Sequence, residues 1–370
     1  MYKTHRFLIM TTDPVHIGTG GMRLGRVDNT IVREPGTRLP KIPGTALHGA
    51  IRAYAARRYG KPQCAGQGST EGRKHCGRPT CPICYTFGSI QGEAGSFSGV
   101  VSISDARILL FPVYSMVGPV WVSTVGILKE AGFDVSNPSN NSEVKEDEFY
   151  STMKIEKPIS LGWLMVDPPK AVEINPPKDL KQWENIKNRI VLVSDKLFSQ
   201  IVNSNLEVRT SVAINPETGA TEEGALYTYE AIPRATFLWF DVVVDDFRGT
   251  FPTVTKLSEW ENILKNEKEE AKKGLLKKWK LLSDKEDKEE KEKFQKAVKK
   301  VFDWINEERF KDVNLEKWKW DNIEATQNNQ NILRIIVSGL EWAEHLGIGG
   351  MGTRGFGRIK QVVDPWEVQL

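Results

Sequence analysis

Residues 6–12, with Phe7 to Met10 apolar between Arg6 and Thr11, read as a strand. Behind Thr45, a good N-cap residue, Ala46, Leu47, Ala50, Ile51 and Tyr54 recur at helical spacing. A helix is expected there, with Arg52, Arg57 and Arg58 as its basic remainder. Strand patterns then dominate: 100–104 and 107–111, joined by a short turn at Asp105 and Ala106, then 120–127, 159–166, 189–193 and 235–244. The stretch 130–151 is polar and reads as a surface excursion, and 195–202 reads as a helix. Segments 206–214 and 224–232 flank the polar tip Asn215-Pro216-Glu217-Thr218-Gly219, the pattern of a long hairpin that projects from a core. An amphipathic helix over 332–345 runs into a Gly-rich loop and a closing strand over 359–363. Mixed strands and helices with hairpins predict an α+β fold.

Composition changes this picture in one place. Residues 255–319 are dense in Lys and Glu, with Leu264, Leu275, Leu276, Trp279, Phe294, Val301 and Trp304 among an apolar minority. This predicts an inserted helical hairpin with salt-bridged outer faces. The core is then 1–254 and 320–370. Net charge is only +3 over 370 residues, so any nucleic-acid surface must be a local basic patch. No run reaches the roughly 20 apolar residues of a membrane span, and no signal-peptide pattern opens the chain. A cytoplasmic protein without a membrane partner is expected.

All four cysteines, Cys64, Cys76, Cys81 and Cys84, fall inside the segment 61–88. The C-x-x-C step lets two thiolates reach one tetrahedral ion, and the Gly- and Pro-rich segment around it cannot bury a core of its own. A structural Zn²⁺ is expected, with His75 as an alternative ligand to one cysteine; the other reading is four free or paired thiols.

Two loops carry candidate chemistry. Asp28 lies among Arg23, Arg26 and Arg33, with glycines nearby that let a backbone approach phosphate. A carboxylate so placed stays ionised and can accept a ribose hydroxyl proton or hold a divalent ion; the plainer reading is a turn residue. His16 and His48 are the other proton-transfer candidates in this part of the chain, and each is also the kind of histidine that simply packs. Near the end, Gly350, Gly352, Gly355 and Gly357 alternate with Arg354 and Arg358. That loop is either a tight helix–strand turn or a cradle for phosphates. It matches neither the P-loop nor the dinucleotide fingerprint.

The runs His16-Ile17-Gly18-Thr19-Gly20, Gly25-Arg26-Val27-Asp28-Asn29 and Leu39-Pro40-Lys41-Ile42-Pro43-Gly44-Thr45-Ala46-Leu47-His48-Gly49 resemble the N-terminal signature of the RAMP superfamily. Blocks at 101–113, 214–219, 224–227 and 347–357 follow in family order. The chain looks like the multicopy backbone subunit of type III CRISPR effector complexes. The Asp-Ala and Phe-Pro-Val blocks look most like the Cmr-type (III-B) subunit, whereas the cysteine segment looks like Csm-type (III-A) and III-D counterparts. His48 stands where the family pattern has Lys, and the helices of 255–319 have no counterpart in that pattern.

The resemblance implies a ferredoxin-like, modified RRM palm and a thumb hairpin, matched by 206–232, that kinks a guide–target duplex. It implies copies stacked in a filament on CRISPR RNA, other type III subunits as partners, and complementary target RNA as substrate. It implies that Asp28 cuts that target at regular intervals with Mg²⁺ or Mn²⁺. Arg23, Arg26, Arg33, His48, Arg52, Arg354 and Arg358 are the expected RNA contacts. Two other readings stay open: a purely structural RNA-binding backbone, and a guide-processing endonuclease that acts alone.

Overall fold

The computed structural model describes residues 2–20, 27–66, 75–136, 144–145, 148–180, 182–282, 290–309 and 328–369. Its centre is a β-α-β-β-α-β unit: β1 (Lys3–Thr11), α1 (Gly44–Arg58), β2 (Ala106–Val113), β3 (Phe237–Val244), α2 (Asn328–Leu346) and β4 (Ile359–Gln361). The strands lie in the order β2-β3-β1-β4, with every neighbouring pair antiparallel. This is the ferredoxin-like arrangement that the family resemblance implied. Further strands, Val120–Ser123, Ile190–Leu192, Tyr150–Ser151 and Lys170–Ala171, extend the sheet beyond β2.

Alternation along β1 divides the core. Phe7 and Ile9 join the layer of α1 and α2, where Ile51, Ile335, Ile336 and Leu340 are buried. Leu8 points the other way with Trp239, toward Phe133 and Trp183. The two helices pack so closely that a Cβ on Gly339 would lie 2.4 Å from the Ile51 carbonyl. Glycine inside a helix costs about 1 kcal/mol against alanine, and here the helix contact requires it.

The structure corrects several local expectations. Helix α1 starts at Gly44 behind Pro43, and Thr45 does not cap it; the Gly44 N–H instead donates to Asp105 Oδ1 at 2.7 Å. The strand expected over 120–127 stops at Ser123, because the Thr124 side chain accepts from Ile127 N and caps a helix, Val125–Glu130. The strand expected over 159–166 is a hairpin turning at Gly162, whose φ is 65°. The excursion over 130–151 carries buried Phe133 and Val135, so part of it belongs to the core. Strands Val101–Ile103 and β2 do not pair with each other; both line up on β3.

The charged insertion has three described helices, Val254–Asn266, Glu269–Lys278 and Glu290–Arg309. They enclose a small core of their own built on Leu257, Trp260, Leu264, Leu276, Trp304 and Ile305. It docks on the cysteine segment. The fully buried Lys61 ammonium pairs with Glu308, which also accepts from the Tyr59 hydroxyl at 2.8 Å. Arg78 pairs with Glu307 and, at 2.7 Å, with Glu93, to which the Trp304 indole N–H also donates.

Candidate functional site

Three segments distant in sequence meet where the thumb hairpin leaves the core. Its strands, Glu207–Ile214 and Thr221–Ala231, pair antiparallel. Because side chains alternate, Thr228 and Glu230 share one face while Tyr227 and Tyr229 share the other. The Asp28 loop pairs with the edge of the second strand, Asn29 bridging to Tyr229: Asn29 N–H donates to the Thr228 carbonyl at 3.0 Å, and Glu230 N–H donates to the Asn29 carbonyl at 3.0 Å.

Thr228 fixes Asp28. Its backbone N–H and its hydroxyl both donate to Asp28 Oδ2, at 2.8 and 2.9 Å, and the Asp28 N–H donates to Thr228 Oγ1 at 3.0 Å. These bonds, the backbone one first, hold the Asp28 carboxyl below its usual range. The group is half exposed, and among the described residues no partner takes Oδ1. The site therefore offers a fixed anion with one oxygen, Oδ1, that no described residue engages.

Arg33 sits beside it but is engaged inward. Its guanidinium donates to Glu230 Oε1 at 2.5 Å, to Asn203 Oδ1 at 2.8 Å and to the Ile31 carbonyl at 3.0 Å. Expected as an RNA contact, Arg33 ties the loop to the hairpin root. Arg52 is likewise corrected. It is 9% exposed and donates to the carbonyls of Cys64, Phe87 and Gly88, so it braces the cysteine segment and faces no open groove. His48 packs edge-on against Phe87, and burial, then the charge of Arg52, pushes its pKa down. A neutral ring at pH 7 brings no cation to phosphate. Arg23 and Arg26 lie outside the described residues.

The opposite face of the hairpin meets the Gly-rich loop. His16 Nδ1 donates to the Glu230 carbonyl at 2.6 Å, and its ring packs edge-on against Tyr229. The Gly350 N–H donates to the His16 carbonyl at 3.0 Å; a Cβ on Gly349 would lie 2.5 Å from that oxygen, which explains glycine there. Arg354 is exposed and reaches Ser211 on the hairpin, and Arg358 is exposed but paired with Asp13. Arg209, stacked over Phe356 at 4.8 Å, adds a basic residue that sequence reasoning did not single out. Thr228 and Glu230 were also missed. The hairpin alternation places them opposite the tyrosines, but nothing in the sequence pairs them with a loop 200 residues away.

The four thiols form a second candidate site. They are buried, and their Sγ atoms lie within 4.8 Å of one another, with separations of 3.4, 3.9 and 3.7 Å for the 64–76, 64–81 and 76–84 pairs. Zn–S bonds of about 2.3 Å in a tetrahedron put sulfurs roughly 3.8 Å apart, so the set fits one Zn²⁺. His75 stands outside it: its Nδ1 accepts the Ile90 N–H at 3.1 Å.

Among the described residues, no helix is long and apolar enough to cross a membrane. Residues 8–360 match the model of a family described as the RAMP superfamily. The chain is similar to the CRISPR system Cmr endoribonuclease Cmr4 of Pyrococcus furiosus, 27% identical over 253 residues that cover 64% of this chain and 80% of that protein. It is also similar to the CRISPR system Cms endoribonuclease Csm3 of Mycobacterium tuberculosis, 40% identical over 57 residues, 15% of this chain and 24% of that one. Among solved structures, it resembles a chain of the type III-B Cmr-beta complex bound to cognate target RNA. There the TM-score is 0.49 and the identity 16%, over 71% of this chain and 89% of that chain. With a family match over nearly its whole length, the chain belongs to the RAMP superfamily.

Proposed function

We propose that this protein is a Cmr-type backbone subunit of a type III CRISPR complex, stacks in copies along CRISPR RNA, and cuts complementary target RNA at Asp28. The observation that carries the cutting role is the seat of Asp28: an ionised carboxylate locked by Thr228 at the root of a projecting hairpin, with one oxygen open. The relatives named as endoribonucleases support the reaction class, and the longer match is to the Cmr protein.

The proposed reaction is attack of a ribose 2′-oxygen on the adjacent phosphorus. The O2′–P bond forms and the P–O5′ bond breaks. The hydroxyl proton leaves to a base, and the 5′-oxygen takes a proton from water. A hairpin that bends the strand supplies the in-line approach. A carboxyl held below its usual pKa is a weak proton acceptor and a persistent anion, which favours holding a cation over abstracting the proton. Mg²⁺ or Mn²⁺ at this place would take one oxygen from Asp28 and its other ligands from phosphate and water, and would supply charge neutralisation. Arg354, Arg358 and Arg209 line the neighbouring face for backbone phosphates, with Arg23 and Arg26 as further contacts.

Cys64, Cys76, Cys81 and Cys84 would hold a structural Zn²⁺ with no open position for chemistry. The test is to assemble the protein with guide RNA and its partners and give it end-labelled complementary RNA in Mg²⁺ or Mn²⁺. Regularly spaced products ending in 2′,3′-cyclic phosphate are expected. Intact target on an assembled filament would leave a structural RNA-binding subunit.

A further inference from the structure

A cavity that shares no residue with the Asp28 site opens where the cysteine segment meets the charged helices. Its volume is about 110 Å³. Three aromatic side chains from three elements wall it: Tyr85 from Pro82–Phe87, Phe97 from the hairpin strand Gly95–Ser98, and Trp279 just past Glu269–Lys278. Tyr85 and Trp279 are almost fully buried, and Trp279 is held edge-on against Trp260, so these walls are fixed before any ligand arrives.

Among the described residues that line the cavity, the charge has one sign. Arg248, Lys278 and Lys280 line it, and no acid is among the lining residues. Arg248 is anchored by donating to the carbonyls of Ser98 and Tyr85, and it stacks over Tyr85 at 4.5 Å and Phe97 at 5.3 Å. Asp246, which is not among the lining residues, accepts from the Tyr85 hydroxyl and from the Gly249 N–H at Oδ1, and its Oδ2 is buried without a partner among the described residues.

Lys280 supplies an independent observation. It follows the helix at a φ of 57°, and its N–H donates to the Lys277 carbonyl at 2.9 Å, the left-handed helix ending at which glycine is favoured. A lysine there accepts backbone strain in order to place an ammonium at the rim. Strain of this kind in a folded protein points toward function.

We propose that this cavity binds a nucleobase carrying a phosphate: the ring enters between Phe97 and Trp279, and the phosphate lies outside against Lys278 and Lys280. Aromatic walls take any base by stacking, and rim cations take the anion. The volume is well below the roughly 300–1,000 Å³ of sites that enclose a whole drug-sized ligand, so a single ring is held. The shared chemistry covers two sources, a free nucleotide or one unstacked nucleotide of a strand.

Calorimetric titration of the full chain tests this, with AMP, UMP, adenosine, inorganic phosphate and a short oligouridylate as probes. AMP or UMP should bind saturably, and adenosine and phosphate alone should bind about tenfold more weakly or worse. Phe97→Ala and Lys280→Gly should each weaken nucleotide binding by about tenfold. Lys280→Gly should keep or raise Tm, because glycine suits that backbone, so lost binding would not reflect lost folding. Asp28→Ala should bind AMP as the parent does, which separates this outcome from the nuclease reading. The oligouridylate binding that Phe97→Ala removes decides the source: tighter than UMP means a strand, equal to UMP means a free nucleotide. The proposal is overturned by absent nucleotide binding, by binding unchanged in both cavity variants, or by phosphate alone binding as well as AMP.

Discussion

The hairpin root and the cysteine segment both place charged or ionisable groups at the meeting of distant segments, yet they treat them in opposite ways. At the root, Asp28 is half exposed and held through a single residue, Thr228, which leaves an oxygen open. In and against the cysteine segment the four thiols, Arg52 of α1, Lys61 and Glu308 of the charged insertion are all buried, and the charged groups are satisfied from within. A group meant to act on a ligand must keep an unspent valence toward solvent, whereas one meant to hold a fold spends all of them. On that criterion Asp28 and Arg354 fall on the working side, Arg52 and Arg33 on the structural side, and Arg358, exposed but paired with Asp13, lies between them.

The largest expected effect is on the buried side. Cys81→Ser, or treatment with a chelator, should release about one zinc per chain and open the cysteine segment to protease, since structural zinc contributes folding energy directly. Unchanged metal content would break the contrast at its strongest point. Next is Glu308→Ala, which strands the Lys61 ammonium in the interior and should cost about 3–5 kcal/mol in denaturant unfolding. The double replacement Lys61→Met with Glu308→Met should recover most of that loss, because it removes the buried charge altogether.

Effects at the root should be smaller on stability and visible in activity. Thr228→Val removes the hydroxyl that donates to Asp28 but keeps the backbone donor. The Asp28 carboxyl should then titrate higher, so the acid limb of the pH–rate profile should move toward neutral pH. The sign is fixed by the depressed folded pKa. The contribution of Asp28 to stability is present above its unfolded pKa and is lost as pH falls through the folded one, and the variant should lose it at higher pH. A profile identical to the parent's would mean that Thr228 does not tune the site. The smallest effect is Thr124→Ala, a lost helix cap outside both regions, expected to cost about 1 kcal/mol of unfolding free energy in a denaturant titration with cutting unchanged.

The apolar pattern was enough for the strands and helices of the core, because β1 and β3 are apolar runs buried on both faces, while α1 and α2 bury Leu47, Ile51 and Ala55 and Ile332, Ile336 and Leu340 at helical spacing. It failed where one side chain ends an element. Thr124 converts the end of a strand pattern into a helix, and Asp105 takes the capping role expected of Thr45. The cysteines announced a clustered site by number and spacing alone. Asp28 stood out through its glycines, arginines and family pattern, but its partner Thr228 did not, since a bond across 200 residues leaves no local trace. The inward engagement of Arg33 and Arg52 left no local trace either. An arginine reads as a basic surface until the carbonyls and carboxylates that consume it are placed around it. The docking of the charged helices on the cysteine segment was also invisible, because Lys61 and Glu308 each look like one more surface charge in a charged chain.

The most direct test of the central claim compares assembled complexes carrying the parent chain and Asp28→Ala on one end-labelled target RNA, with target binding measured in parallel. The predicted result is equal binding and a fall in cutting of about 10²–10⁴-fold in the variant, the range expected for loss of a positioned catalytic group. Equal cutting by both complexes would contradict it and remove Asp28 from the chemistry.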